Sequence, residues 1–195
     1  MGDFTGKELT KAWTLRDPLN FTRYFFRENQ KKRFIVGDHH RRVCDALKEV
    51  MEGRINRLII NIAPRYGKTE LAVKNFIAMG LALNPAARFI HLSYSSDLAM
   101  DNSVAIKDIV NSEAYRRLYD VRVKYGSDTK SQWDTEQGGG VYATSTLGQI
   151  TGFGAGALDV PGEPYRFSGA IVIDDPIKPE DALSDVVRER VNRRF

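Results

Sequence analysis

The sequence has a single cysteine, Cys44, among 195 residues, so the chain forms no internal disulfide and no cysteine-based metal cluster. It has no apolar run near the roughly 20 residues of a membrane-spanning helix. Its first residues, MGDFTGKELTKAW, lack the apolar core of a signal peptide. We therefore expect a protein of a reducing compartment that has no membrane partner, and we exclude a small scaffold held by disulfides.

Strong charge of either sign is also missing. The net charge is +4, with 28% charged and 42% apolar residues, which is the composition of an ordinary globular domain with one core. A mildly basic balance fits a nucleic-acid partner, but it also fits many proteins that have none. The basic step Lys31, Lys32 and Arg33 predicts a solvated turn rather than a binding patch.

The most informative stretch lies at 57–77. An apolar run predicts a buried strand, a tight loop follows at 64–67, and Lys68 and Thr69 open an amphipathic helix; the strand residues are Leu58, Ile59, Ile60 and Ile62. In this arrangement backbone N–H groups and a helix N-terminus bind phosphate. We expect Lys68 at the β- and γ-phosphates and the Thr69 hydroxyl at Mg²⁺. Ile62 stands where the common phosphate loop has glycine, so this loop is one residue shorter and begins at Ala63.

A pair of acids supplies the second half of a nucleotide site. Residues 170–173 predict another buried strand, which ends directly in Asp174 and Asp175. Two adjacent carboxylates repel each other there unless a cation lies between them and a bound anion. In nucleoside triphosphatases a strand-end Asp holds Mg²⁺, and a carboxylate orients the attacking water. With Lys68 the pattern predicts a triphosphatase, whereas without it a turn ending the strand would explain the acids.

Other segments predict the frame around these residues. We expect a helix from Asp38 to about residue 51, a buried strand at 88–93, and short antiparallel strands within 121–158. The two adjacent histidines at the helix start point about 100° apart, so they make a poor metal site. The glycine-rich run 151–156 has two interpretations: a flexible connection, or a loop whose backbone approaches a ligand.

Five stretches in this order and spacing resemble the N-terminal ATPase domain of the large terminase subunits of tailed bacteriophages; they are 38–53, 57–70, 89–103, 148–159 and 169–184. The resemblance implies an α/β, RecA-like P-loop fold of the additional-strand class. Such a fold has a mostly parallel central sheet flanked by helices, here with a short antiparallel extension. The implied domains are an N-terminal arm at 1–36 and a P-loop ATPase domain at 37–195 that is incomplete at its C-terminus.

The resemblance also implies roles for single residues. A short loop with an internal arginine is normal in the family, and Arg65 matches an arginine that senses or stabilises the γ-phosphate. The implied catalytic residues are Asp175, Lys68 and Arg65, and the implied Mg²⁺ ligands are Thr69 and Asp174. The residues implied in ATP binding are Ala63, Pro64, Arg65, Tyr66, Gly67, Lys68, Thr69, Glu70, His39 and His40.

The implied activity is hydrolysis of ATP, with Mg²⁺, to pump double-stranded DNA into a procapsid in the cytoplasm of an infected bacterium. The implied partners are the DNA, the portal protein, the small terminase subunit and further copies of the chain in a ring. The chain departs from the family in two respects. Many members have Glu where Asp175 stands, and the coupling strand and nuclease domain of full-length relatives have no counterpart, so nuclease activity is not expected.

Two other functions stay open on the residues alone. A superfamily-2 helicase shares the strand-end carboxylates, but it usually has Asp-Glu followed by Ala or Cys and then His. This chain has Asp174, Asp175 and Pro176 instead. The second is a fragment that binds nucleotide, or only occupies an oligomer, without turnover, because the coupling and nuclease parts are missing.

Overall fold

A computed structural model describes residues 5–150, 152–156, 166–178 and 180–193, in which a five-stranded mixed sheet is flanked by helices. The α-helices are α1 (Gly6–Arg16), α2 (Pro18–Gln30), α3 (Asp38–Met51), α4 (Phe76–Leu83), α5 (Ser96–Asn111), α6 (Glu113–Leu118) and α7 (Asp185–Asn192). A π-helix, Glu70–Asn75, precedes α4, and a 3₁₀-helix, Asp181–Leu183, precedes α7. No helix in the described ranges is both long and apolar enough to cross a membrane.

The strands follow the order β2-β3-β4-β1-β5 across the sheet. They are β1 (Arg88–Ser93), β2 (Val123–Asp128), β3 (Gln132–Thr135), β4 (Gly140–Ser145) and β5 (Gly169–Ile173). β1 pairs in parallel with both β4 and β5, whereas β3 pairs in antiparallel fashion with both β2 and β4. The prediction of an α/β fold is confirmed, and the predicted strand at 88–93 is β1.

Local sequence explains where the helices near the candidate loop begin and end. The Leu19 N–H donates to Asp17 Oδ1 at 2.6 Å, and Pro18 occupies the first turn, so α2 has a standard N-terminus. Helix α3 covers the predicted range, with Gly37 as its N-cap. Gly53 follows its end with a φ of 75°, a conformation that glycine adopts without steric cost.

Helix α2 belongs to the main hydrophobic core. Phe21 and Phe25 are 0% and 1% exposed, and their ring centroids lie 4.5 Å apart. They contact the rings of Tyr115 and Tyr119, and the Tyr115 hydroxyl donates to the Ala78 carbonyl of α4 at 2.8 Å. The described part of the predicted arm therefore packs against both α4 and α6.

The prediction of a buried strand at 58–62 is wrong. In the described ranges no strand pairs with this segment. Leu58 and Ile60 pack against the core, but Ile59 is 86% exposed. Apolar residues give a segment its preference for an extended backbone, but only a hydrogen-bonded neighbour makes it a strand.

The strand predicted at 170–173 is present as β5, but its predicted burial is wrong. Ile171 and Ile173 are 59% and 40% exposed, while Ala170 and Val172 pack against the core. β5 forms one edge of the five-stranded sheet, so it has a strand neighbour on one side only. Successive side chains alternate between the two faces of a strand, and here the core covers one face.

His91 is a fully buried titratable group at the centre of the sheet. Its Nδ1–H donates to the Val172 carbonyl at 3.2 Å, and its Nε2 accepts from the Asn102 side-chain amide at 3.2 Å. A neutral imidazole satisfies both contacts because it has one donor and one acceptor. Burial lowers the pKa of His91, and the hydrogen bond to Val172 and the charge of Asp174 oppose that shift only in part.

We predict that lowering the pH reduces the free energy of unfolding through protonation of His91. Its folded pKa lies below the ordinary 6.5, so the unfolded chain takes up the proton first. The free energy of unfolding is then highest above the unfolded pKa and falls as the pH decreases toward the folded pKa. His91→Gln should cost about 1–3 kcal/mol near neutral pH, because two buried groups lose their partner. The variant should also lose less stability on acidification, as measured by urea unfolding across a pH series; equal acid slopes would contradict the prediction.

A second prediction concerns Gly80 of α4. A Cβ atom at this position would lie 2.5 Å from Phe89 Cζ and 2.8 Å from Phe167 Cε1. Gly80→Ala should therefore lower the free energy of unfolding by about 1–3 kcal/mol, although alanine normally favours a helix. Gly6→Ala in α1 is the matched control, since a Cβ there meets nothing within 4 Å. That variant should be neutral or slightly stabilised in the same denaturation experiment, and similar values for both variants would contradict the packing.

Candidate functional site

The predicted phosphate loop is an exposed turn that leads into a helix. Residues 63–66 are exposed, and Gly67 has a φ of 77°. Helical conformation begins at Lys68, as predicted, and the Leu71 N–H bonds the Gly67 carbonyl at 3.0 Å. The first turns then continue as the π-helix, a rare form that occurs frequently at functional sites. The loop therefore stands at a helix N-terminus, where backbone N–H groups are available to an anion.

The two acids lie at the carboxyl end of β5, beside the end of β1. The Asp174 N–H donates to the Leu92 carbonyl at 2.8 Å, and the Tyr94 N–H donates to the Asp175 carbonyl at 2.9 Å. These backbone bonds hold both residues at the edge where parallel strands end and where ligands of open α/β sheets bind. Asp174 is 6% exposed, whereas the Asp175 side chain is 60% exposed.

The loop and the acids meet through two side chains. The Lys68 ammonium lies 3.3 Å from Asp174 Oδ1 and also hydrogen-bonds Asp175 Oδ1. The Thr69 hydroxyl donates to Asp174 Oδ2 at 2.6 Å. Lys68 and Thr69 precede Asp174 and Asp175 by more than a hundred positions in the sequence. These four predicted site residues are nevertheless in direct contact. The fold brings the basic and acidic halves of the candidate site together.

Lys68 stays charged in this setting. Partial burial alone would lower the pKa of Lys68, but the hydrogen bond to Asp175 and the charge of Asp174 outweigh it, so the pKa is raised above its ordinary value. The ammonium therefore offsets the repulsion between two neighbouring carboxylates. A group that keeps its positive charge at neutral pH is also suited to contacting phosphate oxygens.

The side chains of Thr69 and Asp174 fit a Mg²⁺ site of the kind completed by phosphates. Neighbouring ligands of an octahedral Mg²⁺ lie about 2.9 Å apart, given metal–oxygen distances of 2.0–2.1 Å. The separation of 2.6 Å between Thr69 Oγ1 and Asp174 Oδ2 is close to that value. The described residues contain no group of three acidic, His or Cys side chains that could hold a metal by themselves. Mg²⁺ typically uses one or two protein oxygens and takes the rest from phosphates and water.

The two predicted histidines lie on the other side of the loop. The Gly37 N–H donates to His40 Nδ1 at 2.8 Å, so the ring proton is on His40 Nε2, 3.2 Å from the Tyr66 carbonyl and 2.9 Å from His39 Nε2. His39 also meets the Tyr66 ring edge-on, with centroids 5.3 Å apart. Burial first, and then the neighbouring His39, lower the pKa of His40. An aromatic cluster thus borders the loop.

Phe34 is a member of this cluster that the sequence did not reveal. Its ring centroid lies 4.9 Å from that of His40, and its Cζ would be 3.5 Å from a Cβ at Gly67. Phe34 therefore packs directly beneath the turn of the loop. No spacing rule links it to residues so distant in the chain, and only a general preference of aromatic residues for buried positions pointed to it.

The fold does not place three of the predicted features beside Asp174 and Asp175. Glu70 turns away, with its carboxylate 3.4 Å from Lys74 Nζ and bonded to the Asn75 amide at 3.0 Å. Arg65 is exposed, and none of the described residues bonds its side chain. In the glycine-rich run, Thr151 lies outside the described residues, and Phe153 stacks on Tyr142 near the start of β1 rather than at the carboxyl ends.

Backbone strain is concentrated in the candidate site. In the described ranges three residues other than glycine have a positive φ, and two of them are Arg65 at 67° and Asp175 at 46°. Such conformations cost free energy for residues with a side chain and persist when the surrounding structure imposes them. The surrounding hydrogen bonds of Asp175 supply that constraint, whereas Arg65 sits in an exposed turn.

Neither a model of a known protein family nor a curated protein matches this chain.

The strain at Arg65 gives a prediction about stability. Arg65→Gly should raise the free energy of unfolding by up to about 1 kcal/mol, because glycine adopts a positive φ without the steric cost. Arg57→Gly is the matched control, since Arg57 is also exposed and lies outside the left-handed region. That change should lower the free energy of unfolding by about 0.5–1 kcal/mol through chain entropy. Urea denaturation compares the two variants, and a shift of the same sign in both would contradict strain at Arg65.

Proposed function

We propose that the chain is the ATP-hydrolysing motor domain of a large terminase subunit, built on a RecA-like P-loop fold, that drives double-stranded DNA into a viral procapsid. The observation that carries the proposal is the contact of Lys68 and Thr69 with Asp174 and Asp175. A loop-helix N-terminus bearing Lys and Thr, facing two strand-end acids, is the arrangement that phosphoryl transfer from a triphosphate requires.

The triphosphate binds at the N-terminus of the helix that starts at Lys68, where the backbone N–H groups face the loop. Lys68 exchanges its contacts with the carboxylates for phosphate oxygens and neutralises charge on the transferred group. Thr69 and Asp174 would hold Mg²⁺, which would supply positive charge beside the phosphates. Phosphoryl transfer depends mainly on positioning and electrostatics, so these few side chains suffice chemically.

Asp175 is the proposed group that orients the attacking water. Its side chain is 60% exposed, and its backbone is held by the Tyr94 N–H, so the carboxylate reaches solvent from a fixed position. When Lys68 turns to the phosphates, the oxygen that it contacted is released to accept a hydrogen bond from water. The shorter Asp side chain and the positive φ of Asp175 together set where that oxygen lies.

The remaining loop residues have supporting roles in the proposal. Arg65, exposed at the tip of the turn, contacts the γ-phosphate and adds positive charge during transfer. His39 borders the loop with Tyr66 and offers an aromatic face and a ring nitrogen to adenine, while the buried His40 holds the His39 ring through a hydrogen bond. Both roles follow the resemblance to the terminase family, as do the portal protein, the small terminase subunit, the ring of further copies and the cytoplasm of an infected bacterium.

The test is ATP hydrolysis by a pair of lysine variants. Lys68→Ala should reduce phosphate release by about 100-fold or more, because a group that stabilises the transition state is lost. Lys74→Ala is the matched control: both lysine side chains are 26% exposed, but Lys74 pairs with Glu70 and not with the strand-end acids. The control should retain turnover. Parent-level hydrolysis by Lys68→Ala would refute the assignment, provided that circular dichroism reports a folded variant.

The same protein separates the other two functions. Calorimetric titration with a non-hydrolysable ATP analogue measures binding independently of turnover. Analogue binding without phosphate release by the parent chain would identify a nucleotide-binding fragment, and ATP-dependent strand displacement would identify a helicase. Neither result is expected if the chain is the packaging ATPase.

A further inference from the structure

The segment that contains helix α2 is strongly basic. Residues 18–36 contain five basic side chains and one acidic side chain, a net charge of +4. The whole chain also has a net charge of +4, so its other residues balance to zero. A local positive charge of this size favours a partner of opposite charge at this segment.

The fold arranges these cations on one exposed surface. Arg23, Arg27 and Lys31 are exposed and lie four residues apart along α2 and its C-cap, so they form a line about 12 Å long. Lys32 and Arg33 are exposed in the turn that follows. We call these five residues the α2 basic surface. One strand of duplex DNA has a phosphate every 3.4 Å along its axis, so the line covers about three or four phosphates.

The cations of this surface are not neutralised by the protein. In the described part of the chain, no carboxylate forms an ion pair with Arg23, Arg27, Lys32 or Arg33, and Lys31 donates to the backbone carbonyl of Glu28. Some basic residues elsewhere are paired, as Arg54 is with Glu49 at 2.7 Å. Unpaired cations in a row are available to an anionic polymer.

The partner chemistry follows from what the helix keeps buried. A helix that lies on a membrane inserts an apolar face, but the apolar face of α2 is in the core, where Phe21 and Phe25 are 0% and 1% exposed. Single-stranded nucleic acid is usually held by exposed aromatic side chains that stack on bases, and these two rings cannot do so. Phosphate contacts without stacking are typical of duplex binding.

We propose that the α2 basic surface binds the phosphate backbone of double-stranded DNA. This proposal extends the proposed function by giving the motor a DNA contact, although binding itself requires no hydrolysis. The surface adjoins the candidate site through Phe34, whose ring packs against Phe26 of α2 at 5.3 Å and against His40 at 4.9 Å. Two packed rings, Phe26 and Phe34, therefore connect α2 to the phosphate loop.

The experiment is an anisotropy titration of fluorescein-labelled duplex DNA with the full chain, without nucleotide, over a range of salt concentrations. Arg23→Gln/Arg27→Gln should weaken binding about tenfold or more and lower the salt slope by about two, one for each lost phosphate contact. The matched control is Lys7→Gln/Lys11→Gln, which removes two exposed cations with the same spacing from α1. The control should keep the parent affinity and slope.

Lys32→Gln/Arg33→Gln provides a second variant, because these residues lie in an exposed turn outside the helix and their loss leaves the core intact. It should weaken binding in the same direction. Equal loss in the α1 control, absence of duplex binding by the parent chain, or preference for single strands would overturn the proposal. So would binding to phosphatidylserine vesicles that depends on Arg23 and Arg27 while duplex binding does not. Lys68→Ala should still bind DNA, so failure of hydrolysis and failure of DNA binding are distinguished.

Discussion

The ion-pair cluster of Lys68 with Asp174 and Asp175 is the interaction on which the rest of the site depends. Two neighbouring carboxylates at a strand end repel each other, and Asp174 is nearly buried, so a cation must stand beside them. Lys68 provides it, and Thr69 adds a hydrogen bond to the same buried acid. These contacts connect the first residues of a helix to the end of an edge strand.

This connection explains several features around it. The loop before Lys68 must reverse direction within a few residues, which places Arg65 and Gly67 at positive φ. Asp175 follows a strand whose backbone is bonded to β1, and it also takes a positive φ. Strain in two facing segments is stabilised by the pairing and packing between them. A geometry of this kind is held at some cost in stability.

Helix α2 connects this site to the rest of the molecule in two ways. Its apolar face fills the core with Phe21 and Phe25, and its polar face carries the unpaired cations of the α2 basic surface. Phe34 then joins the end of this helix to the loop by contacting His40. The helix cannot leave the core without exposing two aromatic rings, so its polar face is fixed relative to the body of the domain.

Much of this protein was determined by local sequence. The range of α3 follows from helical periodicity and a glycine stop, β1 from its apolar run, and the position of Asp174 and Asp175 from the strand that precedes them. The pattern of Gly-Lys-Thr after an apolar run indicated the loop and the helix that begins at Lys68. These features depend on residues close together in the chain, so they can be predicted without knowledge of the fold.

Only the tertiary structure decided what lies across the chain. The segment 58–62 has no strand partner, and β5 lies at an edge of the sheet with Ile171 exposed. Both outcomes depend on hydrogen bonding between strands that are distant in the chain. The helix orientation turned Glu70 toward Lys74, and the packing of α2 brought Phe34 under Gly67. The sequence determined which side chains are candidates for a functional site. The fold determined which of them meet, since burial, pairing and contact are set by segments far apart in the chain.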